Sequence, residues 1–250
     1  MYAVLQTSLE QPISRDTLEA AVMATEGLTK PDCARIQHDT FGIVAEGLSE
    51  DDARGLQAGL RTQGIETEVV SDSDLPSLAA PHRLQTFAVT VEGVTVADYT
   101  GQDTLFPLET FIFAAGGHVK HLAAPQRKLE LVQKFVPREG IRTSLEMVTE
   151  QNAKEIVEFR IEFYVTREPF RFQCVVDDKS IVRPNGQVLK LRDRNQLDAL
   201  LLNLANTLPP DQVNIGIKKV AAGEDFVYPS VHVFEREIVW SLYQMSKGSA

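Results

Sequence analysis

Histidine is the side chain best suited to proton transfer and metal binding near neutral pH, and the sequence contains five. His118 and His121 are close enough in sequence to suggest a metal-binding pair. The segment from His118 to Leu122 has the pattern of a strand, however, and residues three apart on a strand face opposite sides of the sheet. We therefore favour two separate surface histidines, with a metal site as the alternative.

A second candidate pair, His232 and Glu235, lies one turn apart on the predicted last helix. An imidazole and a carboxyl in that relation can act as an acid–base pair or as metal ligands. The next position on that helix face holds Arg236 rather than a second acid, which favours a solvated face without chemistry. The alternative is an enzyme whose site is assembled from His118, His232 and Glu235.

Charged residues also alternate along a predicted strand, as Glu158, Arg160 and Glu162. Paired carboxylates can perform acid–base work, but an arginine between them is more typical of ion pairs between strands on a wetted face. The sequence contains none of the phosphate-binding loops, nucleophile motifs or zinc motifs of common enzymes. It therefore predicts no cofactor, no metal site and no small-molecule ligand.

One local cluster of basic residues could contact an anion or an acidic partner, including this protein's own N-terminal part. Its members are Arg183, Lys190, Arg192 and Arg194. Asp193 interrupts the cluster, so the favoured interpretation is a solvated hairpin, with the anion or partner contact as the alternative.

Acidic residues exceed basic ones by ten over 250 residues, and the excess lies at the N-terminus. Residues 1–80 carry 14 Asp and Glu against 5 Lys and Arg, a net charge of −9. Such a segment repels phosphate backbones, so nucleic-acid binding is not expected. We interpret this acidic excess as a source of solubility rather than as an acidic docking surface.

The two cysteines, Cys33 and Cys174, are far apart in sequence, as is usual in a reducing compartment. The first residues lack the basic flank and apolar run of a signal peptide. No segment approaches the ~18 apolar residues of a membrane span. We therefore expect a cytoplasmic protein without a transmembrane segment.

The first 74 residues predict the element order β-α-α-β-α-β. Strands are indicated at Tyr2 to Thr7, Phe41 to Ala45 and Ile65 to Val70. Ser14 and Ser49 are good N-caps for two of the helices, and Asp51 and Asp52 favour the positive end of the third helix.

This segment resembles the C-terminal domain of the bacterial ribosomal stalk protein. The resemblance rests on Gly27-Leu28, Asp32-Cys33-Ala34, the run from Glu46 to Ala53, Gln63-Gly64 and the run from Glu66 to Val69. In that family the domain is an interaction surface for translation GTPases and uses basic helix residues. The corresponding helix here carries Arg54 and Arg61 among acids and no lysine, so the resemblance implies the fold but not the ribosomal role.

After a turn-rich linker, residues 84–122 predict short strands separated by turns, one of them at Gly116-Gly117. The run EGVTVADYTGQDTLFPLETFIFAAGGHV, residues 92–119, looks like the strand–turn–strand–Pro pattern of bacterial pleckstrin-homology-like domains. Such domains mostly bind proteins or lipids and perform no chemistry. Both resemblances are to bacterial proteins, so a bacterial origin is expected.

The clearest pattern is a hairpin around Glu168-Pro169. Pairing Val165 with Phe170 sets Phe163 opposite Phe172 and Glu162 opposite Gln173, and a slip of one residue would expose the apolar row. Tyr164 then lies opposite Arg171, Ile161 opposite Cys174, and Phe159 opposite Val176.

The remaining segments have weaker patterns. Residues 123–150 are interpreted as connections with a short helix, and 213–220 as a strand. Asn185-Gly186 predicts a second hairpin. A helix with a leucine stripe precedes Pro209-Pro210, and a last helix starts at Ser230, with Trp240 off its apolar stripe.

The sequence therefore predicts an α+β protein. An N-terminal β-α-α-β-α-β sandwich of residues 1–74 precedes a linker, 75–82, and antiparallel β-rich, pleckstrin-homology-like structure closed by helices. Residues 83–250 form either one domain or two subdomains, 83–122 and 143–246. The leading functional hypothesis is a non-enzymatic protein-interaction or scaffold role, through a protein partner or self-association.

Overall fold

The computed structural model describes residues 1–9, 13–84, 86–90, 92–97, 103–123, 127–136, 140–149, 154–166, 170–176, 183–184, 190 and 192–248. It confirms an α+β protein. The predicted hairpin at Asn185-Gly186 lies mostly outside these residues.

The N-terminal part has the predicted element order. Its elements are β1 (Tyr2–Gln6), α1 (Arg15–Met23), α2 (Lys30–Asp39), β2 (Ile43–Leu48), α3 (Glu50–Thr62) and β3 (Thr67–Ser71). The hydroxyl of Ser14 accepts from the Thr17 amide, and that of Ser49 accepts from the Asp52 amide, so both predicted N-caps are confirmed. The antiparallel sheet has the order β2-β1-β3, and the helices pack on one of its faces.

The described residues after Ser71 form three further sheets and three α-helices. The four-stranded sheet, ordered β13-β5-β6-β7, contains β5 (Thr86–Thr90), β6 (Gly93–Ala97), β7 (Asp103–Pro107) and β13 (Arg183–Pro184). The five-stranded sheet, ordered β14-β8-β11-β12-β4, contains β4 (His82–Arg83), β8 (Phe111–Ala123), β11 (Lys154–Val165), β12 (Arg171–Val176) and β14 (Val227–Tyr228). A separate ribbon pairs β9 (Arg127–Val136) with β10 (Gly140–Thr149), and the helices are α4 (Arg194–Thr207), α5 (Ile215–Ala221) and α6 (Val231–Gly248).

The predicted register of the β11–β12 hairpin is confirmed at every pair. Phe163 lies opposite Phe172 and Glu162 opposite Gln173, and the Val165 amide donates to the Phe170 carbonyl at 3.1 Å. The apolar row packs with α4 and the four-stranded sheet into one cluster that contains residues from both predicted subdomains. Phe170, expected on that row, is instead exposed.

The turn predicted at Gly116-Gly117 is wrong, because β8 runs through both glycines without a break. They are needed for close packing. A Cβ atom on Gly116 would lie 2.6 Å from Leu201 Cδ2, and one on Gly117 would lie 2.8 Å from Tyr228 Cε2.

Two further predictions are wrong. Residues 127–136 and 140–149 are strands rather than connections with a short helix. Most of the segment 213–220, predicted as a strand, is the helix α5, because the Asn214 side chain caps it by accepting from the Ile217 amide.

Helix α6 packs on two surfaces. Its predicted stripe, which includes Phe234 and Ile238, covers one face of the five-stranded sheet. Trp240, off that stripe, packs with the otherwise open face of the N-terminal sheet, and its indole N–H donates to the Gln6 carbonyl at 2.7 Å. The helix therefore joins the N-terminal part to the rest of the described chain.

Candidate functional site

The polar side of the β11–β12 hairpin is buried, so the prediction of a wetted face is wrong. Glu162 has 0% exposed surface, and Glu158, Arg171 and Gln173 are also buried. Strand alternation distinguishes two faces, but it does not show that a helix some 70 residues later in the chain will cover the polar one. Arg160 of this face lies over the Phe234 ring of α6, with 6.0 Å between its Cζ atom and the ring centroid.

Glu162 is the centre of this buried cluster. Its carboxylate accepts from Arg171 Nε at 2.9 Å, from Tyr164 Oη at 2.7 Å and from Gln173 Nε2 at 2.7 Å. Arg171 also donates to Glu235 at 2.8 Å. Burial is the largest single effect and lowers the pKa of Arg171, but hydrogen bonds and charge interactions with Glu162, Tyr164 and Glu235 together raise it above its ordinary value. Because the carboxylate is saturated with donors, this cluster is structural.

The three residues of the predicted enzyme alternative do not meet. His118 is buried against α4, where its Nε2 lies 2.8 Å from Asp198 Oδ1. Glu235 binds Arg171 on the opposite side of the sheet, and His232 is exposed on α6 beside Arg236. His118 pairs with Phe159 of β11, and Glu162 is three residues further along that strand, so the two side chains lie on opposite faces of the sheet. The structure does not bring the three residues together, and the enzyme alternative stays a prediction.

His118 and His121 lie on opposite faces of β8, as their spacing predicts. His121 Nδ1 lies 3.3 Å from Glu158 Oε2, on the α6 side. The expectation that both are surface residues is wrong for His118, which is 3% exposed. Among the described residues, no three His, Cys, Asp or Glu side chains are grouped as a metal site would require.

The predicted basic cluster is only partly described. Arg194 is paired with Asp225 and, at 3.8 Å, with Asp198. Lys190 and Arg192 are exposed, whereas the side chain of Arg183 lies outside the description. An anion or partner contact at this cluster remains a prediction.

A second buried polar cluster connects α5, β14 and α6, and the sequence reasoning missed it. Glu237 of α6 accepts from the Ile215 amide at 2.6 Å and from the Tyr228 hydroxyl. Asn214 donates to the Tyr228 hydroxyl at 2.8 Å, and Asn214 Oδ1 accepts from the Gly116 amide at 3.0 Å. These bonds fix the start of α5 against β8 and α6.

Glu237 is the described acid with the clearest titration signature. Burial raises its pKa from 4.5 to about 7, against hydrogen bonds from Tyr228, Ile215 and Asn214 that lower it. Burial and the neighbouring Glu237 raise the pKa of Tyr228 well above its ordinary value. The carboxyl therefore changes charge near neutral pH, as general acids and bases do. The one available sequence signal was an acid within the apolar stripe of the last helix, at 237 beside Ile238.

Glu237 lies in the wall of a cavity of about 740 Å³, the α5–α6 pocket. This pocket is lined by residues 7–9, 211–215, Phe113 and Lys218, and by Glu237, Trp240, Ser241, Gln244 and Met245 of α6. Its volume is within the ~300–1,000 Å³ range of small-molecule sites.

The β9–β10 ribbon is the second candidate feature. Its strands pair with each other over ten rungs and with no other described strand. Directly opposed residues share a face, so the register assigns Leu131 and Leu145 to one face and Glu130 and Glu146 to the other.

Comparison of the chain with protein-family models, with curated proteins and with solved structures gave no match. The resemblances to the stalk-protein domain and to pleckstrin-homology-like domains therefore remain predictions. None of the helices in the described part of the chain is both long and apolar enough to cross a membrane.

Proposed function

We propose that the protein is a non-enzymatic interaction protein that associates with a second copy of itself through the β9–β10 ribbon. The observation that carries this proposal is a ten-rung ribbon, paired with no other described strand, in which uncharged positions share one face. An isolated two-stranded ribbon is marginally stable in water. A ribbon of this kind gains stability when its apolar face is covered.

The residue pattern along the ribbon supports the choice of this face. Apart from Arg127 at the base, the face has no charged position; its other members are Leu129, Leu131, Gln133, Phe135, Ile141, Thr143, Leu145, Met147 and Thr149. The charged residues beyond the base lie on the other face: Lys128, Glu130, Lys134, Arg142 and Glu146. A face of uncharged residues is compatible with its own copy in a two-fold contact.

The size of the face favours weak association. Ten residues at ~3.4 Å and two strands ~4.8 Å apart give a face of roughly 350 Å², at the lower end of the ~300–600 Å² of the largest apolar patch on a typical monomer, which is often functional. Two such faces bury about 700 Å², in the range of transient contacts. The proposal therefore implies a weak, reversible monomer–dimer equilibrium.

Sedimentation velocity over about 2–400 μM protein tests this proposal. The weight-average sedimentation coefficient of the wild type is expected to rise with concentration. In the double variant L131S/L145S, which removes one directly opposed apolar pair, the rise should disappear.

The matched control is E130S/E146S, an opposed pair one rung away on the other face. It should associate at least as strongly as the wild type. The proposal fails if the wild type stays monomeric throughout, or if both double variants weaken association equally.

A further inference from the structure

The α5–α6 pocket contains features of a ligand site that are independent of the ribbon. Its walls come from the end of β1, the start of α5 and the middle of α6, elements that are distant in sequence. Its volume of about 740 Å³ would accept a molecule of one to three rings.

The apolar part of the wall includes aromatic and thioether side chains. Trp240, Phe113 and Met245 line the pocket. The Trp240 indole N–H is already bound to the Gln6 carbonyl at 2.7 Å, so this ring is fixed in place and offers the pocket apolar surface only. Fixed aromatic faces favour planar rings as ligands.

The hydroxyl of Ser241 lies beside this apolar wall. Ser241 is only 8% exposed and lines the pocket, yet it has no hydrogen-bond partner among the residues that the structure describes. A ligand with a polar atom near Ser241 would supply one.

The charged residues of the pocket indicate whether it favours an anionic or a cationic ligand. Lys218 lines the pocket and forms no ion pair with any described acid, including Asp211, which also lines it. Glu237, held between Tyr228 and the Ile215 amide, has a pKa of about 7 because it is buried. Below that pH the carboxyl is neutral and no longer attracts the Lys218 ammonium.

We infer that the α5–α6 pocket binds a planar aromatic small molecule that carries an acidic group. The ring packs on Trp240, a polar atom bonds Ser241, and the acidic group pairs with Lys218.

Two fluorescent probes with the same ring skeleton test this inference on the full chain. 1-Anilinonaphthalene-8-sulfonate carries an acidic group, and N-phenyl-1-naphthylamine does not. Trp240 is the only tryptophan, so its quenching on titration reports directly on the pocket. We expect the sulfonate probe to bind at one site per chain and more tightly than the uncharged probe.

Three variants test the proposed contacts of the ligand with the pocket one at a time. Lys218→Met should weaken the sulfonate probe about fivefold, the upper range for an exposed ion pair, and leave the uncharged probe unchanged. Asp211→Asn should strengthen the sulfonate probe about twofold. Ser241→Leu, which fills part of the pocket, should weaken both probes at least tenfold; circular dichroism checks that each variant is folded.

Three results would overturn the inference. The first is no saturable quenching of Trp240 by either probe at 1 mM. The second is sulfonate binding that Lys218→Met leaves unchanged. The third is binding lost in L131S/L145S but retained in Ser241→Leu, which would place the probe on the ribbon and leave the self-association proposal intact.

Discussion

Replacing Glu237 by glutamine tests the physical account of the buried cluster. Glu237 is 1% exposed and its pKa is raised by burial from 4.5 to about 7. A difference of about 2.5 in pKa corresponds to about 3 kcal/mol by which folding favours the neutral carboxyl over the charged one. Glutamine keeps the shape and the acceptor oxygen but does not titrate.

The direction of the pH effect follows from proton binding. Between pH 4.5 and 7 the folded protein keeps the Glu237 proton and the unfolded chain loses it. The stabilisation by neutral Glu237 is therefore complete below pH 4.5, and it is lost as pH rises through 7. Relative to Glu237→Gln, the wild type should lose about 3 kcal/mol of unfolding free energy across this range.

Urea unfolding at pH 5.5 to 8 measures this difference and avoids the isoelectric point near 5.0. Over that interval the Glu237→Gln variant should gain about 2 kcal/mol relative to the wild type. Trp240 fluorescence and far-UV circular dichroism should give coincident transitions if unfolding is two-state. A difference that is constant with pH, or that favours the wild type as pH rises, would refute the reasoning.

Tyr228→Phe is the companion variant for Glu237. It keeps the acid but removes a hydrogen bond that lowers its pKa. The midpoint of the pH dependence should therefore move to higher pH.

Two further predictions concern packing, and urea unfolding tests the first. Arg171→Met leaves the fully buried Glu162 without its closest ion-pair partner, with only Arg160 remaining at 3.7 Å, and should destabilise the fold by about 3–5 kcal/mol. Arg54→Met, which removes an exposed ion pair with Glu50, should cost much less. Gly216→Ala would place a Cβ atom 2.4 Å from the Gly116 carbonyl oxygen, so thermal unfolding followed by circular dichroism should show a loss of about 1–3 kcal/mol. Equal losses for both arginine variants, or an unchanged Gly216→Ala melting curve, would contradict these assignments.

Local patterns predicted those parts of the fold that local chemistry controls. The β11–β12 register followed from alternation, since a one-residue shift would expose Phe163 and Phe172. The N-terminal element order followed from capping residues such as Ser49 and from strand-forming runs. These signals act within about ten residues, so one sequence is enough to detect them.

Features that depend on distant segments were not predicted. In the sequence alone, Gly116 and Gly117 indicate a turn. In the fold, their lack of a side chain leaves room for the side chains of Leu201 and Tyr228. The wetted face assigned to Glu162 is covered by α6, and Trp240 of that helix packs on a sheet from the N-terminus. The α5–α6 pocket was missed for the same reason, because its lining residues come from the two ends and the middle of the chain.

Hydrogen exchange of the β9–β10 ribbon as a function of protein concentration tests the proposed self-association most directly. Peptides covering residues 127–149 should exchange rapidly at about 1 μM protein, because a lone ribbon is marginally stable. Their exchange should slow as the protein concentration rises to about 400 μM, while peptides from β1 stay unchanged. Exchange in the ribbon that does not depend on concentration would contradict the proposal.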